Sequence, residues 1–308
     1  MIVLLFSILI TFIDCSSDLN PTPSKQWERQ TSGTSEVLLG VSFVSETHGF
    51  AVGTNGLIKA TTNGGSSWVT QTSGASGFLR DVYFSSATRG TIVGESGLIL
   101  GTTNGTTWSA QTSGTSEHLV HVHFFNDDVG MAVGQGGVIL KTVDGGTTWV
   151  KQVSGTTVEL PWVHMLSEST AVAVGFSGKV LRTTDGGNSW STIPVSGVTS
   201  DLRSVHFIGN VGIAVSIGGR IIRTTDGGQN WSAISSTNTN NLYAVQFADA
   251  STVYAAGTSR ILESKDAGLT WTASNTDSFG GDIYGMALKG AKGWVTGQNG
   301  LILHNSGN

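Results

Sequence analysis

Short apolar runs alternate with turns rich in Gly, Ser and Thr along most of the chain. The unit that begins at Phe78 is typical, and its pattern predicts strands in FLRDVYF (78–84), TIVG (91–94), LILG (98–101) and WSAQTS (108–113). A short ESG turn separates the second strand from the third, and a second polar turn precedes the fourth. Four short strands joined by tight turns predict one antiparallel sheet.

Tryptophan marks a repeat whose period is 40 or 41 residues. Seven tryptophans follow this period: Trp27, Trp68, Trp108, Trp149, Trp190, Trp231 and Trp271. Sheets of this size bury both faces only against neighbouring sheets, which is typical of a radial β-propeller. The predicted fold class is therefore all-β, a seven-bladed β-propeller of four-stranded antiparallel blades. The predicted inner strands lie at Leu38, Leu79, Leu119, Leu160, Leu202, Leu242 and Ile283.

The two ends of the repeat region predict how the ring closes. The first unit begins with QWERQTSG (26–33), which has the sequence of a fourth strand, and the last unit stops at GLILHNSGN (300–308) after its third strand. We therefore expect the N-terminal strand around Trp27 to complete the last blade. An unclosed ring would expose a β-edge that invites aggregation. The propeller domain is predicted to span residues 25–308.

The box TTDGGNSW (183–190) recurs, with small changes, at 61–68, 142–149 and 224–231. In an Asx-type turn Asp185 accepts hydrogen bonds from nearby backbone N–H groups, and Gly186 and Gly187 take positive φ. Trp190 is expected to pack over the hairpin. Turn formation explains this Asp-box, so we predict no catalytic role for its acids, which are Asp144, Asp185, Asp226 and Asp266.

The charge of the chain argues against one class of partner. Charged residues make up 12% of the sequence, and the formal net charge is -5. Nucleic-acid binding needs a basic footprint, and no Lys/Arg run provides one. We expect no nucleic-acid partner and no cofactor.

The N-terminus differs from the repeats. Residues 1–14 begin with MIVLLFSILITFI, which is too short to span a bilayer and suits an export signal. Cys15, the sole cysteine, opens a polar tether over residues 15–24. Two interpretations remain open: a lipoprotein signal with lipid attachment at Cys15, or a plain secretory signal. Either predicts export, to the periplasm or cell surface, with membrane contact only through such a lipid.

The runs AVGQGGVILKTVDGGTTW (132–149) and AVGFSGKVLRTTDGGNSW (173–190) resemble the repeat of the photosystem II stability/assembly factor family. The resemblance extends over essentially the whole mature chain. It implies a non-enzymatic factor in the thylakoid lumen or periplasm that holds a membrane-protein assembly intermediate through an arginine-rich patch. We expect a monomer with a protein partner.

Five cations are the candidate residues for binding that partner. Lys179, Arg220 and Arg260 begin the third strand of three consecutive blades, and Arg80 and Arg203 lie near the tops of two inner strands. Arginine binds carboxylates through two parallel hydrogen bonds, which suits an acidic peptide. The alternative is a solvated rim whose charges pair with neighbouring acids.

Four histidines occupy inner strands. His121 and His123 share one strand face, and His164 and His206 take the position of His123 in the next two blades. A metal site needs ligands that converge, whereas equivalent residues of successive blades follow one another around the ring. We therefore predict buried, hydrogen-bonded histidines and no metal site.

An acidic mouth supports a second function, a carbohydrate-binding or glycoside-hydrolysing propeller. Glu117, Glu159 and Asp201 lie beside inner strands and could supply two carboxylates. Trp162 and Tyr243 could stack against sugar rings.

Overall fold

Seven four-stranded antiparallel sheets form the ring of this computed structural model, which describes residues 27–236, 238–274 and 279–307. The predicted seven-bladed propeller is confirmed. Each blade runs from an inner strand at the central channel to an outer strand at the rim, and we number the blades 1 to 7 in the order of their inner strands along the chain. By blade, the strands are β2–β5 (Leu38–Phe43, Gly49–Gly53, Ile58–Thr61, Val69–Gln71); β6–β9 (Leu79–Phe84, Gly90–Gly94, Ile99–Thr102, Ser109–Gln111); β10–β13 (Leu119–Phe124, Gly130–Gly134, Ile139–Thr142, Val150–Gln152); β14–β17 (Trp162–Met165, Ala171–Val174, Val180–Thr183, Ser191–Thr192); β18–β21 (Leu202–Ile208, Val211–Ser216, Ile221–Thr224, Ser232–Ile234); β22–β25 (Leu242–Phe247, Val253–Gly257, Arg260–Ser264, Thr272–Ala273); and β26–β28 with β1 (Ile283–Lys289, Lys292–Gly297, Ile302–Asn305, Glu28–Arg29).

Six single-turn 3-10 helices connect the second and third strands of their blades: Thr54–Gly56, Glu95–Gly97, Gln135–Gly137, Phe176–Gly178, Ile217–Gly219 and Gln298–Gly300. None of the helices in the described residues has the length and apolar character needed to cross a membrane.

The ring closes through the N-terminal strand, as predicted. Strand β1 pairs antiparallel with β28, with Glu28 opposite His304 and Arg29 opposite Leu303. Trp27 is buried in the core of this blade and packs edge-on against Tyr254 of blade 6, with ring centroids 5.8 Å apart. The proposed signal (1–14), Cys15 and the tether (15–24) lie outside the described residues.

Apolar clusters between adjacent blades form the core. One cluster combines Val93 and Ile99 of blade 2 with Leu119, Val122 and Phe124 of blade 3. Because alternate residues of each strand point to opposite faces, every blade presents one apolar face to each neighbour. No blade can bury both its faces alone, so the core extends around the ring.

The Asp-box forms the turn that the sequence predicts. Asp185 Oδ1 accepts the backbone N–H of Ser189 at 2.9 Å and the Thr183 hydroxyl at 2.8 Å. Gly186 and Gly187 have φ of 73° and 92°, a conformation that disfavours a side chain. Hydrogen bonds hold the pKa of Asp185 at about 2, the one from the Ser189 side chain contributing most. The box acid is thus fully engaged in its own turn.

Two blades depart from the repeat. The inner strand of blade 4 begins at Trp162 and not at Leu160, because Pro161 has no N–H to donate to the sheet. Blade 6 has no 3-10 helix between its second and third strands; Gly257 pairs directly with Arg260 across a tight turn. This shorter turn gives the 40-residue interval between Trp231 and Trp271.

Candidate functional site

The central channel holds a cavity of about 380 Å³ that residues from all seven inner strands line. We call the end where the inner strands begin the channel mouth. Numbering each inner strand from its first predicted residue, the second position at the mouth is occupied in chain order by Leu39, Arg80, Val120, Pro161, Arg203, Tyr243 and Tyr284. Repetition builds the ring, but this layer differs from blade to blade, which is typical of a binding surface on a rigid frame.

Arg80 is held at the mouth by an acid and an aromatic ring. Its Nη2 donates to Glu95 Oε1 at 3.2 Å, and its guanidinium lies 5.3 Å from the centroid of the Phe78 ring. The Arg80 side chain remains 31% exposed. The ion pair and the ring fix the guanidinium without closing it off from solvent.

Arg203 has the same kind of support three blades further on. Its Nη2 lies 3.5 Å from Asp201 Oδ2, and its guanidinium lies 4.4 Å from the centroid of Phe176, which belongs to blade 4. The side chain is 29% exposed. Within the described part of the chain, the buried Nε atoms of Arg80 and Arg203 have no hydrogen-bond partner. Each guanidinium therefore keeps an unused donor.

The other three predicted cations do not join this pair. Lys179 and Arg220 directly follow 3-10 helices, and Arg260 opens the third strand of blade 6. None of the three lines the channel cavity, and none forms an ion pair with another described residue. The five cations thus divide into two that open to the cavity and three that lie outside it.

Tyrosines of two neighbouring blades also line the mouth. The rings of Tyr243 and Tyr284 lie 5.4 Å apart. Asn241 Nδ2 donates to the Tyr243 hydroxyl at 3.0 Å, and Gln298 Nε2 donates to the Tyr284 hydroxyl at 3.0 Å. Burial, above all, raises the pKa of Tyr284, so this hydroxyl stays protonated. The two rings offer fixed aromatic surface with polar tips.

Residues just before the inner strands cap turns of the preceding blade. Asp201 Oδ1 accepts the Ser177 N–H at 3.0 Å, Asn241 Oδ1 accepts the Gly218 N–H at 2.9 Å, and His118 Nδ1 accepts the Ser96 N–H at 2.8 Å. Among the described residues that line the cavity, none is one of the carboxylates proposed for sugar chemistry: Glu117, Glu159 and Asp201. Trp162 and Tyr243 do line it.

The histidines lie in the channel wall and follow one another around the ring; His121 and His164 are buried, and His123 and His206 are half-buried. Ring centroids are 4.5 Å apart for His123 and His164, and 4.7 Å apart for His164 and His206. His121 stacks on Trp162 at 3.8 Å, and its Nε2 lies 3.5 Å from Asp81 Oδ2. Across residues 27–236, 238–274 and 279–307, no group of three or more His, Cys, Asp or Glu side chains could hold a metal ion.

Burial sets the protonation of this layer. It lowers the pKa of His123 to about 4 and that of His206 to about 3, and it raises the pKa of Asp81 to about 7. The histidines are therefore neutral near pH 7. Asp81 was not predicted as a channel residue from the sequence, although four of the other six blades carry Gly, Ala or Ser at the same strand position.

Known proteins show what this chain is similar to. Residues 19–76 and 74–161 match the family described as photosynthesis system II assembly factor YCF48. No curated protein matches the sequence significantly.

Solved structures share the fold. YCF48 bound to D1 peptide has 22% identity and a TM-score of 0.76, over 92% of this chain and 95% of that one. YCF48 from Cyanidioschyzon merolae has 22% identity and a TM-score of 0.75, over 91% and 98%. A catalytically inactive virginiamycin B lyase from Staphylococcus aureus with quinupristin has 12% identity and a TM-score of 0.80, over 91% and 98%. At these identities the structural likeness shows the fold alone.

The resemblance that the repeats carry is thus confirmed in sequence over residues 19–161, and the propeller fold is shared with the solved YCF48 structures. Through residues 19–161, the chain carries the signature of the photosystem II assembly factor YCF48 family.

Proposed function

We propose that this protein is a non-enzymatic binding scaffold that holds a carboxylate-bearing segment of a protein partner at the channel mouth. The observation that carries the proposal is the pair Arg80 and Arg203, each fixed on an aromatic ring and each lining the same cavity. A preorganised guanidinium loses little side-chain entropy when it binds a carboxylate.

The chemistry of the pair suits an acidic peptide. Each guanidinium already has one acid beside it, but its Nε has no partner among the described residues. Because the Nε atoms are buried, a carboxylate that entered the mouth would meet the exposed part of each guanidinium and gain a charge-assisted hydrogen bond there. Tyr243, Tyr284 and Trp162 would contact the apolar parts of the same segment.

The family match indicates which partner to test. YCF48 has been solved bound to D1 peptide. We propose that this chain likewise binds a peptide segment of a membrane-protein assembly intermediate, and that it acts as an exported monomer. The apolar run at residues 1–14 supports export, and C15S with lipid labelling would distinguish the two signal types.

Two observations favour binding over catalysis. The box acids are engaged in their turns, and the cavity lining contains one carboxylate, Asp81, among the described residues. A two-carboxylate hydrolysis needs a second group at a distance of roughly 5 to 9.5 Å. Similarity to a lyase in fold does not change this, because function depends on the site and not on the fold.

The test is a titration of fluorescently labelled D1 peptide with the full-length protein, followed by anisotropy. R80Q and R203Q should each weaken binding at least tenfold, about 1.4 kcal/mol. K179Q, R220Q and R260Q are matched controls, since each also removes one positive charge outside the cavity. They should change affinity less than twofold.

Other outcomes assign the function differently. Equal losses in all five variants would replace the channel site with a diffuse basic surface. Unchanged affinity in R80Q and R203Q would place the partner elsewhere. Binding of a sugar oligomer, with no peptide binding and loss of sugar binding in a Trp162→Ala variant, would favour the carbohydrate function.

A further inference from the structure

Hydrogen bonds between side chains and backbone connect neighbouring inner strands by one rule. Positions are again numbered from the first predicted residue of each inner strand. The side chain at position 3 accepts the backbone N–H of position 4 in the inner strand of the next blade, and the side chain at position 5 accepts the backbone N–H of position 6 there. The pairs are Ser42 with Phe84 (3.2 Å), Asp81 with Val122 (3.0 Å), His121 with Val163 (3.4 Å), His123 with Met165 (3.3 Å), Ser204 with Val245 (3.2 Å), His206 with Phe247 (3.4 Å) and Gln246 with Leu288 (3.0 Å).

We call the row of contacts between two neighbouring inner strands a seam. The seam between blades 3 and 4 differs from the others, because both of its hydrogen-bond acceptors are imidazoles, those of His121 and His123. On the other side of blade 4, the corresponding positions are Trp162, which cannot accept, and His164, whose buried Nδ1 has no partner among the described residues. At the level of the histidines, two imidazole bonds are therefore the side-chain hydrogen bonds that join β14 to neighbouring inner strands among the described residues. Strand β14 also pairs with β15, and its Val163 and Met165 pack in an apolar cluster shared with blade 3. Its mouth end is held separately by the Leu160 N–H, which donates to Gly134 O at 3.0 Å.

An imidazole accepts a hydrogen bond at Nδ1 only while that nitrogen is unprotonated. When the ring gains a proton, Nδ1 becomes a donor that faces the backbone N–H it previously bound, and the bond becomes a repulsive contact. We propose that protonation of His121 and His123 breaks the hydrogen bonds that join the inner strand of blade 4 to blade 3 at this level, so that the seam between these two blades loosens in acid. Seams that rely on Ser42 or Gln246 have no such response.

Both histidines line the channel cavity, so protons can reach them through it. The other titratable or charged groups that line the same cavity are Arg80, Asp81, Tyr83, His164, Arg203, His206, Tyr243, Tyr284 and Lys289. The cations disfavour a protonated imidazole, and Asp81, 3.5 Å from His121 Nε2, does not offset them in acid because burial raises its pKa to about 7 and it is then neutral. His123 has no such neighbour in contact, so its bond to Met165 gives the clearest measurement.

The sign of the effect follows from the pKa values. Burial lowers the pKa of His123 to about 4 in the closed ring, below the usual value near 6.5 that it regains when exposed. Between these values the open state binds more protons, so the closed seam weakens as the pH falls. Exposure of Asp81 would act in the opposite direction, because its pKa is raised to about 7 and its folded form retains a proton that the exposed carboxyl loses. Asp81 bonds to Val122 between blades 2 and 3, so opening between blades 3 and 4 leaves that bond in place. At pH 5 the histidine effect raises the opening equilibrium at Met165 on the order of 30-fold relative to pH 7.

Amide hydrogen exchange of the full-length protein, corrected for the intrinsic rates, tests this proposal. The protection factor of the Met165 amide should fall on the order of 30-fold from pH 7 to pH 5, while that of Leu288, held by Gln246, stays constant. H123Q introduces the acceptor that blade 6 uses at the same position, so it should remove the pH dependence at Met165. A constant ratio of Met165 to Leu288 protection in the wild type would overturn the proposal.

The reciprocal variant keeps the test decisive if H123Q does not fold. Q246H places an imidazole at the seam between blades 6 and 7 and should make the Leu288 amide acid-sensitive. If Leu288 protection in Q246H stays independent of pH, an imidazole acceptor does not confer the response and the proposal is wrong.

The seam also bears on the proposed binding site, and this step rests on the proposed function. Blade 4 carries Trp162, which lines the cavity, and Phe176, on which Arg203 lies. Loosening of the seam should therefore weaken peptide binding at pH 5 in the wild type and less so in H123Q. Exchange at Met165 reports on the seam whether or not the peptide binds, so the two proposals can fail separately.

Discussion

The Asp-box turns and the channel mouth lie on the same blades but use polar residues in opposite ways. In the box, Thr183 and Asp185 bond to each other and to backbone N–H groups within the same turn. At the mouth, Arg80 and Arg203 contact residues from separate elements and keep Nε donors without a described partner. The box recurs around the ring, whereas the mouth changes from blade to blade. Polar residues that bond within their own turn therefore build the fold, and side chains that stay partly exposed at the mouth are available for a partner.

The largest effect is expected from removing a box tryptophan. Trp231 is buried, packs edge-on against Phe207 with centroids 5.7 Å apart, and donates from Nε1 to Gly228 O at 3.2 Å. Trp231→Ala should lower the free energy of unfolding by about 3–5 kcal/mol, because the cavity between blades cannot collapse. Urea unfolding measures the loss. At temperatures where the variant is folded, its peptide affinity should match that of the wild type. A loss of binding in the folded variant would contradict the division between box residues that build the fold and mouth residues that bind the partner.

A smaller effect, on peptide affinity and not on stability, is expected from changing Phe176, against whose ring the Arg203 guanidinium lies. Phe176→Leu keeps an apolar side chain but removes the ring face that attracts the guanidinium. Peptide affinity should fall by roughly two- to fivefold, since such contacts are worth about 0.5–1 kcal/mol at exposed sites. The urea midpoint should stay within error. Phe125 is an exposed aromatic residue that does not line the cavity, so Phe125→Leu is the control and should leave the affinity unchanged.

The smallest effect is expected at a box acid. In the first box, Asn63 already replaces Asp: its Oδ1 accepts the Ser67 N–H at 2.9 Å and its Nδ2 donates to the Ser67 hydroxyl at 2.9 Å. D185N should therefore leave stability at pH 7 almost unchanged.

The same variant predicts a difference in strong acid. Hydrogen bonds hold the folded-state pKa of Asp185 at about 2, below its usual value near 3.9. Its contribution is present above pH 3.9 and is lost as the pH falls through 2, a loss that D185N should not show. Thermal unfolding from pH 4 to pH 2 compares the two proteins. A large loss at pH 7 would mean that the carboxylate does more than form its turn.

The candidate site was only partly predictable from sequence. Arg80 and Arg203 could be recognised because their strand position was readable from the repeat. The aromatic rings that support them could not be recognised. Phe176 lies in the blade before Arg203, and which ring contacts which guanidinium depends on how the blades pack. For the same reason, Lys179, Arg220 and Arg260 looked equivalent to the channel pair until the structure separated them.

The sequence alone determined the blades, their number, the box turns and the closing strand. These features depend on local signals, turn residues and strand alternation, that repeat at a fixed period, so each copy confirms the others. Which polar side chains face the channel, which of them meet across a seam, and how far burial moves their pKa values depend on how the blades pack together. Such properties arise between residues about 41 positions apart in neighbouring blades, as with His123 and Met165. Their environment exists only once the ring is closed.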